Sequence, residues 1–136
     1  MVVFGVFYSF VFPITIALMI IHVFFLISLS KVLKNCDKYA TMPSNLVWLN
    51  LIPIFNFGWM VYTVIKVSES IGNKFEANGV QDPDKGAKVI GLVYSISIAI
   101  AYFTGFMIAV VGIIFWIIYW VKISGYNRSI PVATSS

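Results

Sequence analysis

Charged side chains leave long gaps in this chain, and apolar residues fill them. Residues 89–121 (VIGLVYSISIAIAYFTGFMIAVVGIIFWIIYWV) carry no charge, and neither do residues 2–29. A helix that stays apolar on every face over such a length belongs in a bilayer rather than in a soluble core. The pattern predicts an all-α integral membrane helical bundle. Its hydrophobic segments lie at about 2–30, 45–65, 89–103 and 106–123. They read as a single transmembrane domain over residues 1–136.

The first segment is long enough to cross the hydrocarbon with some tilt. Pro13 should kink it, and Lys31, Lys34 and Lys38 follow its end. A polar loop from Asn35 to Ser44 comes next. Thr41 or Ser44 then suits a helix cap, and Pro43 a first turn. The second segment carries Asn50, Pro53, Asn56 and Gly58 near its middle. Pro53 withholds a donor from the Leu49 carbonyl, which Asn50 or Asn56 could replace. From Val61 onward the pattern turns amphipathic. Val61, Val64, Ile65, Ile71 and Phe75 share one face, with Lys66, Glu69, Asn73, Lys74 and Glu76 mainly elsewhere. This predicts a helix that leaves the bilayer and lies along its surface until Asn78-Gly79. Asp82 reads as the next N-cap, with Pro83 at the first helical position and Asp84 at the positive helix end. As one helix, residues 89–121 would measure about 50 Å, too long for one crossing without heavy tilt. A turn at Thr104-Gly105 divides the run into a hairpin, closed by Lys122 and Arg128. Residues 129–136 read as a loose polar tail.

Composition narrows the class further. Of 136 residues, 60% are hydrophobic and only 10% charged, against about 25% in ordinary soluble domains. The net charge of +4 comes from short basic clusters beside the apolar runs, so it signals topology and not a nucleic-acid surface. One cysteine, Cys36, excludes an intrachain disulfide and a cysteine metal cage. The first segment lacks a basic lead and exceeds the usual signal-peptide core, so it is expected to be retained despite the small residues of Ser28-Leu29-Ser30.

The basic residues constrain orientation. No charged side chain precedes the first helix, while three lysines follow it, which favours an outside N-terminus. Lys85 and Lys88 precede the third helix, and Lys122 and Arg128 follow the fourth. All nine basic residues fall on one side if the second segment dips in and returns. The expected architecture is therefore three full spans plus a re-entrant or kinked fourth hydrophobic segment. The alternative is four full spans, with Asn45 to Ile65 crossing as an ordinary kinked helix.

Few residues offer chemistry. His22 lies within an apolar helix, where a histidine is a candidate cofactor ligand or relay. A second histidine for bis-His haem is lacking, and a structural hydrogen bond is the simpler role. No Asp or Glu interrupts an apolar segment, which argues against proton-coupled transport. No base is paired with Cys36 or a serine, and no hydrolase or zinc motif is present. No metal or cofactor is expected. Asn50, Pro53, Asn56 and Gly58 read first as a kink repaired by two asparagines. They read otherwise as a broken helix presenting carbonyls to a ligand or ion. Gly5, Ser9, Pro13 and Ala17 form a four-residue stripe of small residues for helix packing. Gly91, Ser95 and Ala99 form another, expected to face Ala109 and Gly112 across the hairpin. Trp116, Tyr119 and Trp120 beside Lys122 read as interfacial anchors.

The stretch from Asn45 to Trp59, the following Val64 to Ile71 and the late Tyr119 to Tyr126 resemble a family of small uncharacterised bacterial multi-pass membrane proteins. That family shares an Ile-Pro-x-Phe/Tyr-Asn motif, here Ile52 to Asn56. The resemblance covers about two-thirds of the chain and implies a bacterial inner-membrane setting, with no catalytic residue. The residues together suggest a non-enzymatic subunit that packs against a larger membrane complex or against itself. A homo-oligomeric channel or small-solute carrier using the break at Pro53 is the alternative.

Overall fold

The computed structural model describes residues 1–82 and 84–130, the side chains of Pro53 and Tyr102 excepted. The fold is all-α, with no strand among the described residues. Helix α1 spans Val2–Cys36, α2 Pro53–Ala77, α3 Lys88–Thr104 and α4 Phe106–Ser129. Short 3-10 helices cover Asp37–Tyr39 and Ser44–Leu51. Helices α1 and α4 are long and apolar enough to cross a membrane, and α3 is a shorter apolar helix.

Local chemistry sets the breaks. A residue before proline is driven out of the α region, and Ile52 adopts φ −81°, ψ 111°. Pro53 then begins α2, where its missing donor costs nothing. Helix α2 ends in a Schellman turn. The Val80 N–H donates to the Phe75 carbonyl and the Gly79 N–H to Glu76, with Gly79 at φ 70°. Gly105, at φ 104°, separates α3 from α4 as the hairpin reading expects.

Contacts define how the helices run. His22 meets Trp116, Ser28 meets Trp120 and Asn35 meets Asn127, so α1 and α4 are parallel. Helices α3 and α4 are antiparallel: Gly91 lies against Tyr119, and Gly112 against Ile98. Helix α2 runs antiparallel to α3, with Val64 beside Gly91 and Ser68 beside Gly86. The Thr41 N–H donates to Ser70 Oγ at 2.9 Å, and the Thr41 hydroxyl donates to the Lys66 carbonyl at 3.0 Å. The chain therefore descends along Ser44–Leu51, turns at Pro53 and returns along α2 to the level it left.

This arrangement gathers charge at one end. Lys74 approaches Asp37 at 3.6 Å, Lys66 pairs with Glu69 at 2.8 Å and Lys122 pairs with Asp84. The bond to Glu69 raises the Lys66 pKa above its ordinary value. Lys85 and Lys88 line a groove with Glu69 and Glu76 at the same end, and Arg128 follows Asn127. The core lies just beyond. Phe25 sits at its centre, with ring centroids 5.7–6.0 Å from Tyr94, Trp116, Tyr119 and Trp120. Leu26, Leu29, Val64, Val67 and Ile123 are buried around it.

Several expectations are corrected. Asp82 does not cap α3, which begins at Lys88 after Ala87 at φ 56°. The Asp82 carboxylate instead accepts from the Asp84 and Gly86 N–H groups and from the Tyr126 hydroxyl, so it organises the turn and ties it to α4. The role expected for Pro83 lies outside the described residues. Neither Thr41 nor Ser44 caps the 3-10 helix; Pro43 precedes it, and Thr41 bonds to α2 instead. The Leu49 carbonyl is met by the Ile52 N–H at 3.1 Å, not by an asparagine side chain. The second half of α2 does not lie apart as a surface helix. Thr63, Val64, Val67, Ser70, Ile71 and even Lys74 are buried by packing against the neighbouring elements. Ser129 completes α4 and Ile130 is buried, so the tail begins later than expected; residues 131–136 lie outside the described residues. Asn35 and Cys36 belong to α1 rather than to a loop, and Cys36 is fully buried.

Candidate functional site

Where the chain turns at Pro53, the helices do not close completely. A cavity of 410 Å³ remains, walled by α1 (Thr15, Leu18, Met19, His22), the break (Asn50, Leu51, Asn56), α3 (Tyr94, Ile98) and α4 (Ile113, Trp116). Its volume lies within the range of small-molecule sites, roughly 300–1,000 Å³. His22 is nine residues from Lys31, which puts the cavity about 14 Å from the charged end at about 1.5 Å per residue.

Four of these wall residues carry a buried polar atom that meets no protein partner: His22 Nε2, Asn50 Oδ1, Asn56 Oδ1 and Trp116 Nε1. Asn50 is 2% exposed. Its Nδ2 donates to the Val47 carbonyl at 2.8 Å and to Thr63 Oγ1 at 3.1 Å, which fixes the amide and leaves the oxygen free. Asn56 stands in the first turn of α2, held by its N–H to the Ile52 carbonyl at 2.8 Å. The His22 ring lies 6.5 Å, centroid to centroid, from Trp116. The set offers two acceptors, one indole donor and an imidazole nitrogen that can serve either way. An unsatisfied buried polar group costs about 1–3 kcal/mol. All four atoms are buried within the wall.

The sequence-based candidates separate into those brought together and those left apart. His22, Asn50 and Asn56 converge on the cavity beside the break that Pro53 creates. Gly58 is exposed on α2 and does not line it. The aromatic residues near Lys122 are not simple interfacial anchors. Tyr119 is fully buried in the core. Trp120 Nε1 donates to Ser28 Oγ at 3.0 Å, and Trp116 joins the cavity wall. Lys122 pairs with Asp84.

The hairpin stripe is also redistributed. Gly91 meets Val64 and Tyr119, so it lies where α2, α3 and α4 come together. Ser95 and Ala99 line a small gap with Asn56, Phe57 and Met60, so they face α2 rather than Ala109, which is half-buried on α4. Gly112 packs against Ile98 and Ser97. Gly5, Ser9 and Ala17 are exposed, and nothing lies within 4 Å of a side chain built at Gly5. Sequence reasoning missed Trp116 and Tyr94 as wall residues and Thr63 as the partner of Asn50. Thr63, an aliphatic hydroxyl four residues past Trp59 in an apolar run, was the available signal. Among the described residues, no three His, Cys, Asp or Glu side chains are grouped for a metal ion. No protein-family model, curated protein or solved structure matches the chain.

Proposed function

We propose that this chain is a non-enzymatic integral membrane protein, a small helical subunit that packs against a larger assembly of a bacterial inner membrane or against copies of itself. The observation carrying this reading is the first part of α1. Residues 1–21 are exposed on every face. Trp116, level with His22, is ten residues from the start of α4, so the first eleven or so residues of α1 project about 16 Å beyond the hairpin. Their stripe of Gly5, Ser9, Pro13 and Ala17 allows close backbone approach to another helix. A cysteine at Ser9, in a Cys36→Ala background, tests this in native membranes with a bismaleimide crosslinker. A crosslinked species, lost in Gly5→Leu/Ala17→Leu, is expected. A species that stays monomeric would sink the subunit reading.

The topology that goes with it is three full spans, α1, α3 and α4, with residues 44–65 re-entering from the charged side. Support comes from the gathering of all nine basic residues at one end, which fits a cytoplasmic face. The contacts of Thr41 with Lys66 and Ser70 also support it, because they join the two ends of the second segment. Irregular backbone at membrane depth is tolerated where protein covers it, and α1, α2 and α3 flank the break. Single cysteines at Asn35, Asn73 and Thr104 test the topology with an impermeant thiol reagent on spheroplasts. Only Thr104 should label from outside. Labelling at either Asn35 or Asn73 would favour four spans.

The cavity favours a second reading, a small-solute carrier or homo-oligomeric channel working through the break. Its uncharged wall and the absence of Asp or Glu from the apolar segments suit a passive role for a neutral solute.

A further inference from the structure

We infer that the outward seam between α1 and α4, at the charged end of the bundle, is a binding site for an anionic phospholipid. Lys31, Ser124 and Arg128 hold its phosphate, and an acyl chain lies along Ile117 and Val121. This goes beyond the subunit reading. It rests only on the membrane setting proposed above, which the first arm of the test checks by itself.

A groove of 420 Å³ runs along one face of α4, lined by Ile117, Trp120, Val121, Ser124, Gly125 and Arg128. Its lining passes from apolar to polar toward the charged end, as a lipid passes from chain to head group. Trp120 is fixed as one wall by its bond to Ser28 Oγ on α1. Gly125 is exposed with nothing within 4 Å, which keeps the groove open. Helix α1 brings a second cation to the same seam. Ser28, Lys31 and Asn35 share a helix face by their spacing. The Ser28 carbonyl and the Asn35 side chain both bond to Asn127 of α4, so the exposed Lys31 stands between two contacts with that helix. No carboxylate neutralises this side. Neither α1 nor α4 contains an Asp or Glu. Asp82 and Asp84 engage Tyr126 and Lys122, which precede Arg128 and Ser124 by two residues each and so lie across α4 from them. Lys66, Lys74 and Lys122 have acidic partners, whereas Lys31 and Arg128 have none among the described residues. Ser124 Oγ has no hydrogen-bond partner among the described residues and is not one of the buried polar atoms, so its hydroxyl is free to donate. A guanidinium, an ammonium and a hydroxyl above an apolar groove match a phosphate above an acyl chain. The C-terminal dipoles of α1 and α4 oppose an anion here, but they fade within the last turn, and Lys31 and Ser124 each stand five residues before their helix ends.

Flotation of the full chain with phosphatidylcholine liposomes checks the membrane setting first. A chain that does not float removes the setting and the inference with it; a chain that floats without a lipid preference fails this inference alone. The preference is read by native mass spectrometry from detergent micelles holding equal amounts of dioleoyl phosphatidylglycerol and dioleoyl phosphatidylcholine. Phosphatidylglycerol should be retained in preference. Arg128→Gln and Lys31→Gln should each lower that preference by about 5-fold, the value of one basic residue near an anionic lipid surface. Equal retention of the two lipids by the parent chain would overturn the inference. Lys85→Gln/Lys88→Gln removes two charges from the same end of the bundle and should leave the preference in place. A loss as large as that of Arg128→Gln would assign the preference to overall charge and overturn the seam. Glycerol phosphate, a head-group phosphate without chains, separates a lipid from a free phosphate; retention equal to that of phosphatidylglycerol would overturn the lipid assignment. Gly125→Leu is the variant that keeps every charge. It meets open space, so the fold should stand, and it fills the groove. It should lower phosphatidylglycerol retention, and unchanged retention would count against the groove.

Discussion

The turn between α2 and α3 rests on α2 so closely that residue 86 has room for glycine alone. A methyl group built there would lie 2.6 Å from Ser68 Cα and 2.7 Å from the Ser68 carbonyl oxygen, both backbone atoms inside a helix. Ordinary carbon contacts are about 3.5–4.0 Å, so the turn must lift by about 1 Å in Gly86→Ala. Lifting it strains two bonds: Ser68 Oγ to the Gly86 carbonyl, now 3.1 Å, and the Gly86 N–H to the Asp82 carboxylate. Their loss is worth about 2–4 kcal/mol together, the charged one counting for more. Gly86 also sits at φ 66°, where a side chain adds about 1–2 kcal/mol of backbone strain. Gly79 supplies the control. It has φ 70° and nothing within 4 Å, so Gly79→Ala carries the backbone strain without the clash. Gly79→Ala should cost about 1–2 kcal/mol and Gly86→Ala about 3–6 kcal/mol. The assay is reversible unfolding in mixed micelles with rising SDS, followed by tryptophan fluorescence. If the two variants unfold within about 0.5 kcal/mol of each other, beyond the ordinary surface-substitution scatter, the close approach of the turn to α2 is wrong.

Three further outcomes follow from the same packing. Gly91→Ala would put a methyl 2.6 Å from Val64 Cγ1 and 2.7 Å from Tyr119 Cε2, both fully buried; it should destabilise by about 1–3 kcal/mol relative to Gly72→Ala, which meets nothing and gains helix propensity. Equal unfolding midpoints for Gly91→Ala and Gly72→Ala would remove Gly91 from the three-helix junction. Tyr126→Phe and Asp82→Ala should be coupled by about 1–2 kcal/mol in a double-mutant cycle, because the Tyr126 hydroxyl donates to Asp82 at 2.7 Å; additive effects would mean the turn is not tied to α4. Ser95→Leu should destabilise by about 1–3 kcal/mol through crowding against Asn56, Phe57 and Met60, whereas Gly5→Leu should leave the isolated chain within about 0.5 kcal/mol of the parent; a reversal of that order in detergent unfolding would put the packing stripe on α1 instead.

Much of the backbone was legible in the amino-acid order because its turning points are local. Pro53 expels Ile52 from the α region whatever surrounds it, and Gly79 and Gly105 accept positive φ without needing a tertiary reason. The apolar runs likewise announce α1 and α4 by length alone. Asp82-Pro83-Asp84 misled for an instructive reason. A carboxylate that accepts backbone N–H groups serves a tight turn as well as a helix start, and nothing in the triplet tells the two apart. The greater loss of information was in direction. Helix α4 is apolar on all sides, so its pattern cannot say which residues turn inward. Tyr119, Trp116 and Trp120 looked alike beside Lys122, yet they took three different roles: core, cavity wall and hydrogen bond to Ser28. The parallel approach of α1 to α4 and the return of α2 decided those roles. They also decided that His22, Asn50, Asn56 and Trp116, spread over most of the chain, share one space. A hydrophobic pattern identifies which segments leave water; only side chains meeting across helices determine which polar atoms find partners and which are buried without one.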